Sequence, residues 1–444
     1  MTPTDTRASS APPRSTRTPL ARGVRRAVAL GVLATLAVAA LSACGDVTPP
    51  SAPAAPSAPQ LASQPLKKTW TVTSLDDPGT GSCTSSYCSL RQAVAGAQKG
   101  DRIVFKSTVK GTIALTGLIP IAKAIAIDGG GRITLDGQGT DIVVTTADTI
   151  ELAGLTLTGG NFGAINVVGG ALTLRNVTVS GNTSQYAGGG IRHAAGTLTL
   201  INSSVVNNST QNDGGGIWAF GGTLVVVNST IAGNSAVGYG GGIYVNGPAG
   251  SATISTSTIS GNSAVVGGGI YNLASTVIVR SSAIVQNNSP GQGGGLAVET
   301  PAATPAVTSV VSSIVAGNGA SDCYLANPTD GTLQSLGRTI SSTGVNGCFW
   351  LYPASAANTD IFIDPSLLYT DVLEPQLRNN GGPTLTHALI ERGRAVDAGA
   401  CPGSVTDQRG VARPYDDPRL PNAWDACDIG PVEWAPPATT GRKK

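Results

Sequence analysis

GGGIWAFGGTLVVVNSTIAGN, residues 214–234, is the stretch that decides the fold of this chain. It is one copy of a unit that recurs about every 26 residues, because the aliphatic residue after each GGG returns at spacings of 26, 26, 27 and 26, at Ile191, Ile217, Ile243, Ile270 and Leu296. An asparagine column keeps nearly the same spacing at Asn182, Asn208, Asn234, Asn262 and Asn287, with a looser copy at Asn318. A β-branched column does the same at Val179, Val205, Ile231, Ile259 and Ile284. Columns in register indicate an internal repeat.

The unit itself has the pattern of β-strands. Apolar and polar residues alternate, as in LTLINSSVV at 198–206, and Gly and Asn clusters separate the alternating stretches. A unit this short cannot bury its own apolar face, so neighbouring units must stack and share one core. Stacked units pair equivalent strands in parallel, and parallel connections favour the right hand. We therefore predict an all-β, right-handed parallel β-helix of about 26 residues per coil over residues 112–319, with the asparagine column as a ladder of stacked amides.

The GGGI unit with a downstream GN resembles the repeat of the polymorphic outer-membrane protein family, whose units carry GGA[ILV] and an Asn-bearing second motif. The resemblance covers about 150 residues, from Ala171 to Asn318. It implies a β-helix and says little about activity.

The N-terminus predicts export. Arg22, Arg25 and Arg26 precede an apolar run over residues 27–40, which is followed by LSAC at 41–44. Basic residues, a short apolar core and small residues before a cleavage point form a signal peptide, here residues 1–43. LSAC resembles a bacterial lipobox, which implies that Cys44 becomes the acylated first residue of the mature protein and holds it on the membrane. The alternatives are an ordinary signal peptide with a coincidental cysteine, and twin-arginine export through Arg25-Arg26.

Residues 44–66 are rich in Pro, Ala and Ser and are predicted to form an extended tether. Removing residues 1–43 takes away six Arg and one Asp, so that 28 basic and 26 acidic residues become 22 and 25, a net charge of −3. The mature protein therefore has no basic surplus, which disfavours a nucleic-acid partner. The predicted location is the bacterial cell envelope, at the outer membrane or the cell surface.

Both ends of a β-helix need covering, because open strand edges invite aggregation. Residues 67–111 are predicted as the N-terminal cap, with a short helix that starts at a capping box of Ser89 and Gln92. The segment TVTSLDDPGTGSCTSSYCSLRQAV, residues 71–94, resembles the CSLREA domain of bacterial surface proteins. Residues 320–434 are predicted as the C-terminal cap. Their D-x-R-G at 407–410 and CDIGPVEW at 427–434 resemble the choice-of-anchor Q domain, and residues 435–444 are predicted to be a disordered tail.

Six cysteines remain when Cys44 is set aside, an even number in an exported chain. Their positions suggest three local disulfides, Cys83–Cys88, Cys323–Cys348 and Cys401–Cys427. Other pairings and reduced thiols stay possible. Metal binding is disfavoured, because the chain has no CxxC and only two histidines, His193 and His387.

The repeat offers little for catalysis. From Leu152 to Gly319 the charged residues are Arg175, Arg192, Asp213, Arg280 and Glu299, and no two acids stand in register. The first coils are richer, and Asp101 and Asp128, 27 residues apart, are candidate vertical neighbours, although DGGG at 128–131 and DGQG at 136–139 favour turns. The acids Asp407, Asp425, Asp428 and Glu433 are interpreted as hydrogen-bonding groups of the cap, paired with Arg409 and Arg413, and His193 as a surface residue. No catalytic residue, metal site or cofactor is predicted.

One surface feature suggests a ligand. The residue after each GGGI or GGGL is Arg192, Trp218, Tyr244, Tyr271 and then Ala297. If the aliphatic residue points inward, these side chains point outward, one above another, in a strip that can stack on sugar rings. The alternative is a self-stacking ladder that stiffens the sheet.

The sequence thus predicts a non-catalytic, lipid-anchored envelope protein whose rod serves adhesion, scaffolding or ligand display, with polysaccharide or another cell surface as partner. The alternative is a carbohydrate-active β-helix enzyme, either a polysaccharide lyase or a glycoside hydrolase.

Overall fold

The computed structural model describes residues 67–145, 149–301, 304–329, 331–342, 348, 359–401, 404–422 and 425–435. The predicted signal peptide, the lipidation site Cys44, the tether and almost all of the tail lie outside these residues. No helix within them is long and apolar enough to cross a membrane.

The chain folds into a parallel β-helix, which confirms the predicted fold class. Within the described residues its second sheet has nine strands, one in each of nine successive coils: Ile119–Ile121, Val143–Thr145, Ile165–Val167, Ile191–His193, Ile217–Phe220, Ile243–Asn246, Ile270–Leu273, Leu296–Glu299 and Cys323–Leu325. A third sheet has three short strands: Thr183–Ser184, Ser209–Thr210 and Ser235–Ala236. Nine coils spaced by about 4.8 Å make a rod nearly 40 Å long.

The first sheet has 20 strands and covers two sides of each coil. Its strands are Thr69–Val72, Arg102–Phe105, Gly111–Ala114, Ala126–Asp136, Thr149–Thr158, Ala171–Arg175, Thr178–Ser180, Thr197–Ile201, Ser204–Val206, Thr223–Val227, Thr230–Ala232, Ser251–Ser255, Thr258–Ser260, Thr276–Arg280, Ala283–Val285, Val307–Val311, Ile314–Ala316, Thr332–Ser335, Ile340–Ser342 and Ile361–Ile363. In the part of the chain that the structure describes, the helical segments are an α-helix at Leu90–Gly96, a 3-10 turn at Pro365–Leu367 and a short α-helix at Leu368–Asp371.

The strand register reproduces the columns of the sequence. Ile217 pairs with Ile191 below it and with Ile243 above it, and Ile243 pairs in turn with Ile270. These side chains are at most 1% exposed and fill the core of the rod. Burial of each such side chain contributes about 1.5–3 kcal/mol.

Parallel stacking extends beyond residues 112–319 at both ends. Thr69–Val72 pairs with Arg102–Phe105, which pairs with the start of Ala126–Asp136. At the other end, Ile361–Ile363 pairs with Ile340–Ser342. The end coils keep the parallel strand pairing of the rod without the GGG and Asn markers.

The asparagine column forms the predicted ladder. Each side-chain Nδ2 donates to the Oδ1 of the next asparagine at 2.9 Å, from Asn182 through Asn318. The ladder ends where Asn318 donates to a carboxylate oxygen of Asp322 at 3.0 Å. A second ladder, which the sequence analysis missed, joins the backbone N–H of each serine to the hydroxyl of the next at 3.1 Å, along Ser203, Ser229, Ser257, Ser282 and Ser313.

The glycine triplets are required by close stacking. A Cβ on Gly215 would lie 2.4 Å from the carbonyl oxygen of Gly241 in the next coil. Gly214 has φ of +70°, a left-handed conformation that glycine adopts without steric cost.

The N-terminal helix begins with the predicted capping box, since the Ser89 hydroxyl accepts from Gln92 N and the Gln92 side chain accepts from Ser89 N. Disulfides join the three pairs that the sequence suggested, with Cα–Cα distances of 4.3, 4.9 and 5.8 Å for Cys83–Cys88, Cys323–Cys348 and Cys401–Cys427.

The C-terminal residues reach farther than an end cap would. Residues 373–435, called the C-terminal strap below, pack along the side of the rod as far back as Asn228, whose carbonyl oxygen accepts from Thr384. Gln408 lies fully buried between the strap and the rod, where its side chain accepts from Thr258 and donates to Thr230. His387 meets Ser260 at 2.9 Å. The strap is therefore held to the first sheet by hydrogen bonds to short polar side chains, among them Thr230, Thr258 and Ser260.

Candidate functional site

The predicted strip lies on the outer side of the second sheet. Arg192 pairs with Trp218, Trp218 with Tyr244 and Tyr244 with Tyr271, so these residues do stack one above another. Ala297 follows Tyr271 in the next coil. The stacking part of the prediction is confirmed.

The expectation that the whole strip faces solvent is wrong. Tyr244 is 5% exposed and Tyr271 is 2% exposed. The loop before the GGG at 240–242 places Tyr239 over Tyr271 of the following coil, with ring centroids 4.8 Å apart. Tyr244 and Tyr271 also stack on each other at 5.4 Å, and the Tyr271 hydroxyl donates to Glu299. Burial raises the pKa of Tyr244 to about 12, so this upper half of the strip is a neutral, packed ladder.

The lower half of the strip does reach solvent. The rings of Trp218 and Phe220 are parallel within 3°, with centroids 5.5 Å apart, and Phe220 is 45% exposed. The Arg192 guanidinium lies 5.4 Å from the centre of the Trp218 ring. We call Arg192, Trp218 and Phe220 the aromatic platform. Phe220 was not in the predicted strip, although it lies two residues after Trp218 and so shares its face of the strand.

A second exposed aromatic pair lies at the corner that leads into the second sheet. Phe162 and Tyr186 stack with centroids 6.1 Å apart and lie in adjacent coils. Both rings are among the most exposed large apolar side chains of the described residues. Exposed aromatic surface of this kind marks interaction sites more often than it marks structure.

A groove on the first sheet is a separate candidate site. Its cavity of about 630 Å³ is lined by Arg102, Ala126, Asp128, Glu151, Ala153 and Arg175, together with Gly130, Gly131 and Gly154. We call these residues the charged groove. An ion pair of 2.7 Å joins Arg102 to Asp128, and one of 3.3 Å joins Arg175 to Glu151.

The register explains how the groove forms. Ala126 stands between Arg102 and Glu151 in one column, and Ala153 stands between Asp128 and Arg175 in the next. The two alanines leave space between longer side chains. A bulge between Asp128 and Ile133 adds a wall of glycine, because four residues there stand opposite Gly154 alone.

Asp101 and Asp128 are not vertical neighbours, contrary to one expectation. Asp101 is buried and accepts from the indole N–H of Trp70 at 3.0 Å, while Asp128 pairs with Val104. The interpretation of DGGG as a turn is wrong, since residues 128–131 form a bulge inside the strand Ala126–Asp136, where Gly130 N donates to the Asp128 carboxylate at 2.8 Å. DGQG at 136–139 does turn, with Gln138 N donating to Asp136. Sequence reasoning missed that the Asp128 carboxylate also faces Arg102, a partner signalled by their separation of 26 residues.

His193 is buried, not on the surface. It is 0% exposed, and it stands between Val167 of the preceding coil and Ala219 of the following coil in a column whose side chains face the core. Among the described residues neither ring nitrogen finds a hydrogen-bond partner, and burial lowers the pKa of His193 to about 4. It is a neutral core residue.

The acids of the C-terminal strap have the predicted structural role. Asp407 pairs with Arg409 at 2.7 Å and Glu433 with Arg413 at 3.0 Å. Asp425 accepts from Cys401 N, and Asp428 accepts from Asp397 N. Burial, followed by the charge of Glu433, raises the pKa of Asp428 above its usual range. Cys401, Asp425 and Cys427 lie close enough to hold a metal, but the two sulfurs are joined in a disulfide and are not free to bind one.

No protein-family model matches the chain, and no curated protein sequence is similar to it. Two solved structures are similar in fold. The pectate lyase Pel9A has 15% identity and a TM-score of 0.47, over 83% of this chain and 97% of that one. The PL6 family alginate lyase AlyGC has 10% identity and a TM-score of 0.29, over 83% of this chain and 59% of that one. At these identities the likeness concerns the β-helix alone.

Proposed function

We propose that this chain is a non-catalytic, lipid-anchored protein of the bacterial envelope whose rod binds glycans at the aromatic platform. The observation that carries the proposal is the parallel pair of Trp218, which is partly buried, and Phe220, which is 45% exposed, on one face of the second sheet. Aromatic faces offer apolar area to the C–H faces of sugar rings at low entropic cost, while Arg192 beside them can donate hydrogen bonds to hydroxyls. A rod bearing such a platform suits adhesion or display.

The anchor rests on the lipobox-like LSAC at 41–44. Acylation of Cys44 would hold the rod at the outer membrane or the cell surface by the combined insertion of its acyl chains. Labelled fatty acid should enter the wild-type chain in cells and should not enter a Cys44→Ser variant. Equal labelling of both chains would rule out this anchor.

Binding is tested by titrating a glycan panel into the purified mature protein and following tryptophan fluorescence. Trp218 contributes to this signal beside four other tryptophans, and the Phe220→Ala variant keeps all five, so it is the informative one. We expect at least about tenfold weaker binding, the equivalent of about 1.4 kcal/mol. Tyr415→Ala is the matched control, because Tyr415 is an exposed aromatic residue of the strap, away from the second sheet. Equal affinity of Phe220→Ala and wild type for every bound glycan would refute the platform.

The alternative, a carbohydrate-active enzyme, is favoured by one observation. The charged groove brings Asp128 and Glu151 near two arginines, and paired carboxylates are the usual groups of glycoside hydrolysis. Against it, each carboxylate is already held by an arginine. Incubation with acidic and neutral polysaccharides decides between the two, since an enzyme would release unsaturated or reducing ends that Asp128→Asn or Glu151→Gln abolishes.

A further inference from the structure

We propose that the charged groove is a second binding site, independent of the aromatic platform, and that its ligand is an anionic glycan. The groove lies on the first sheet and the platform on the second, so the two sites use different faces of the rod. The two proposals therefore stand or fall separately.

The balance of donors and acceptors points to an anion. Within the described residues, Arg102 donates one hydrogen bond in the groove, to Asp128, and Arg175 donates one, to Glu151. A guanidinium has five N–H donors, so most remain available. Each oxygen of the Asp128 carboxylate already has one partner, Gly130 N for one and Arg102 for the other. Carboxylate or sulfate groups supply the acceptors that the arginines lack.

The spacing points to an extended ligand. Arg102 and Arg175 stand three coils apart, so their backbones lie about 14 Å from each other along the rod. Their side chains reach toward each other, since Arg102 meets Asp128 one coil along and Arg175 meets Glu151 one coil back. The two guanidinium groups therefore lie in the middle of the groove, where an acidic unit can meet them while the rest of a sugar chain follows the rod axis.

The floor of the groove suits sugar rings. Ala126 and Ala153 are the small residues of the floor, and Gly154 with the glycines of the bulge brings backbone close to the surface. A flat floor of methyl and methylene groups accepts the apolar face of a pyranose ring.

The acids of the groove argue for a glycan over a nucleic acid. Asp128 and Glu151 lie beside the two guanidinium groups and repel a ligand that carries a negative charge on every unit. A mature chain of net charge −3 gives no long-range attraction to a dense polyanion. An acidic glycan with few charges, or with partly esterified charges, is repelled less by Asp128 and Glu151 and less by the negative net charge of the chain.

The test is equilibrium binding of the purified mature protein to four probes. These are a partly methyl-esterified polygalacturonate, a sulfated dextran of low substitution, unmodified dextran and a single-stranded DNA oligonucleotide. We expect the first or the second to bind, with an affinity that falls as salt rises, and the last two not to bind at the same concentration. The first two arms separate carboxylate from sulfate recognition.

Two kinds of variant locate the ligand. Arg102→Gln and Arg175→Gln remove one charge each, and Ala153→Leu fills the floor without changing charge; each should weaken binding by about tenfold or more. Arg378→Gln is the control, since Arg378 is an ion-paired, exposed arginine of the strap. Phe220→Ala should leave this binding unchanged. The proposal is overturned if neither anionic glycan binds, if DNA binds as tightly, or if Ala153→Leu binds like wild type while its unfolding midpoint is unchanged.

Discussion

Replacing Asn234 by alanine should destabilise the rod more than any exposed substitution in the same coil. Asn234 is 0% exposed. Its Nδ2 donates to Val205 O and to Asn262 Oδ1, both at 2.9 Å, and its Oδ1 accepts from the backbone and side-chain N–H of Asn208. Alanine removes all four of these bonds.

The magnitude follows from which groups lose their last partner. Asn262 Oδ1 keeps the N–H of residue 234, and Asn208 Nδ2 keeps Val179 O. Asn208 N and Val205 O lose a side-chain partner in the buried corner. At about 1–3 kcal/mol for each buried group left unsatisfied, the loss is about 4 kcal/mol. Asn234→Asp should cost a similar amount at neutral pH, because it keeps the shape but has no N–H to donate.

The assay is urea unfolding of the full chain followed by circular dichroism, with Asn212→Ala as control. Asn212 lies in the neighbouring coil, but its side chain is exposed. The control should change the free energy of unfolding by no more than about 0.5 kcal/mol. A loss below about 1 kcal/mol for Asn234→Ala would refute the view that the ladder holds the corner together.

Further predictions concern the core, the corners and the strap. The pKa of His193 is lowered to about 4 in the folded state, so the folded state favours the neutral imidazole. The free energy of unfolding should therefore fall by about 3 kcal/mol as pH falls from about 6.5 to 4. Unfolding measured at several pH values should show this loss in wild type and not in His193→Val. Gly215→Ala should lower the melting temperature sharply or prevent folding, since its Cβ would lie 2.4 Å from Gly241 O, whereas Gly169→Ala, which meets nothing within 4 Å, should have little effect. Gln408→Leu leaves Thr258 and Thr230 without their buried partner, so limited proteolysis should cut within residues 373–435 before it cuts the rod; simultaneous digestion of both would show that the strap does not loosen separately.

The parts of the structure that repeat could be predicted from sequence, because each column is sampled several times. Ile217, Asn234 and the glycines of GGG occupy equivalent places in successive coils, and the period alone sets their register. Local pairs were also accessible, such as the capping box of Ser89 and Gln92, since their spacing decides the contact. His193 should have been placed inward, because it lies two residues after Ile191 on the same strand.

The candidate sites were less accessible, because they depend on departures from the repeat. Tyr239 covers Tyr271 from the loop before the GGG at 240–242, and the repeat does not fix the path of that loop. The charged groove needs two alanines and a bulge in register, and no periodic signal marks that coincidence. Gln408 meets Thr258 across 150 residues of sequence, a distance over which composition and spacing carry no information.

We propose that the aromatic pair of Trp218 and Phe220 binds glycans and that the chain does not cleave them. The most direct measurement is a binding isotherm for a glycan panel, with product analysis on the same samples, for wild type and for a Trp218→Ala, Phe220→Ala double variant. We predict saturable binding by wild type, loss of that binding in the double variant with its unfolding midpoint retained, and glycans of unchanged length throughout. Undiminished binding by the double variant, or glycans shortened by the wild-type chain, would contradict the account.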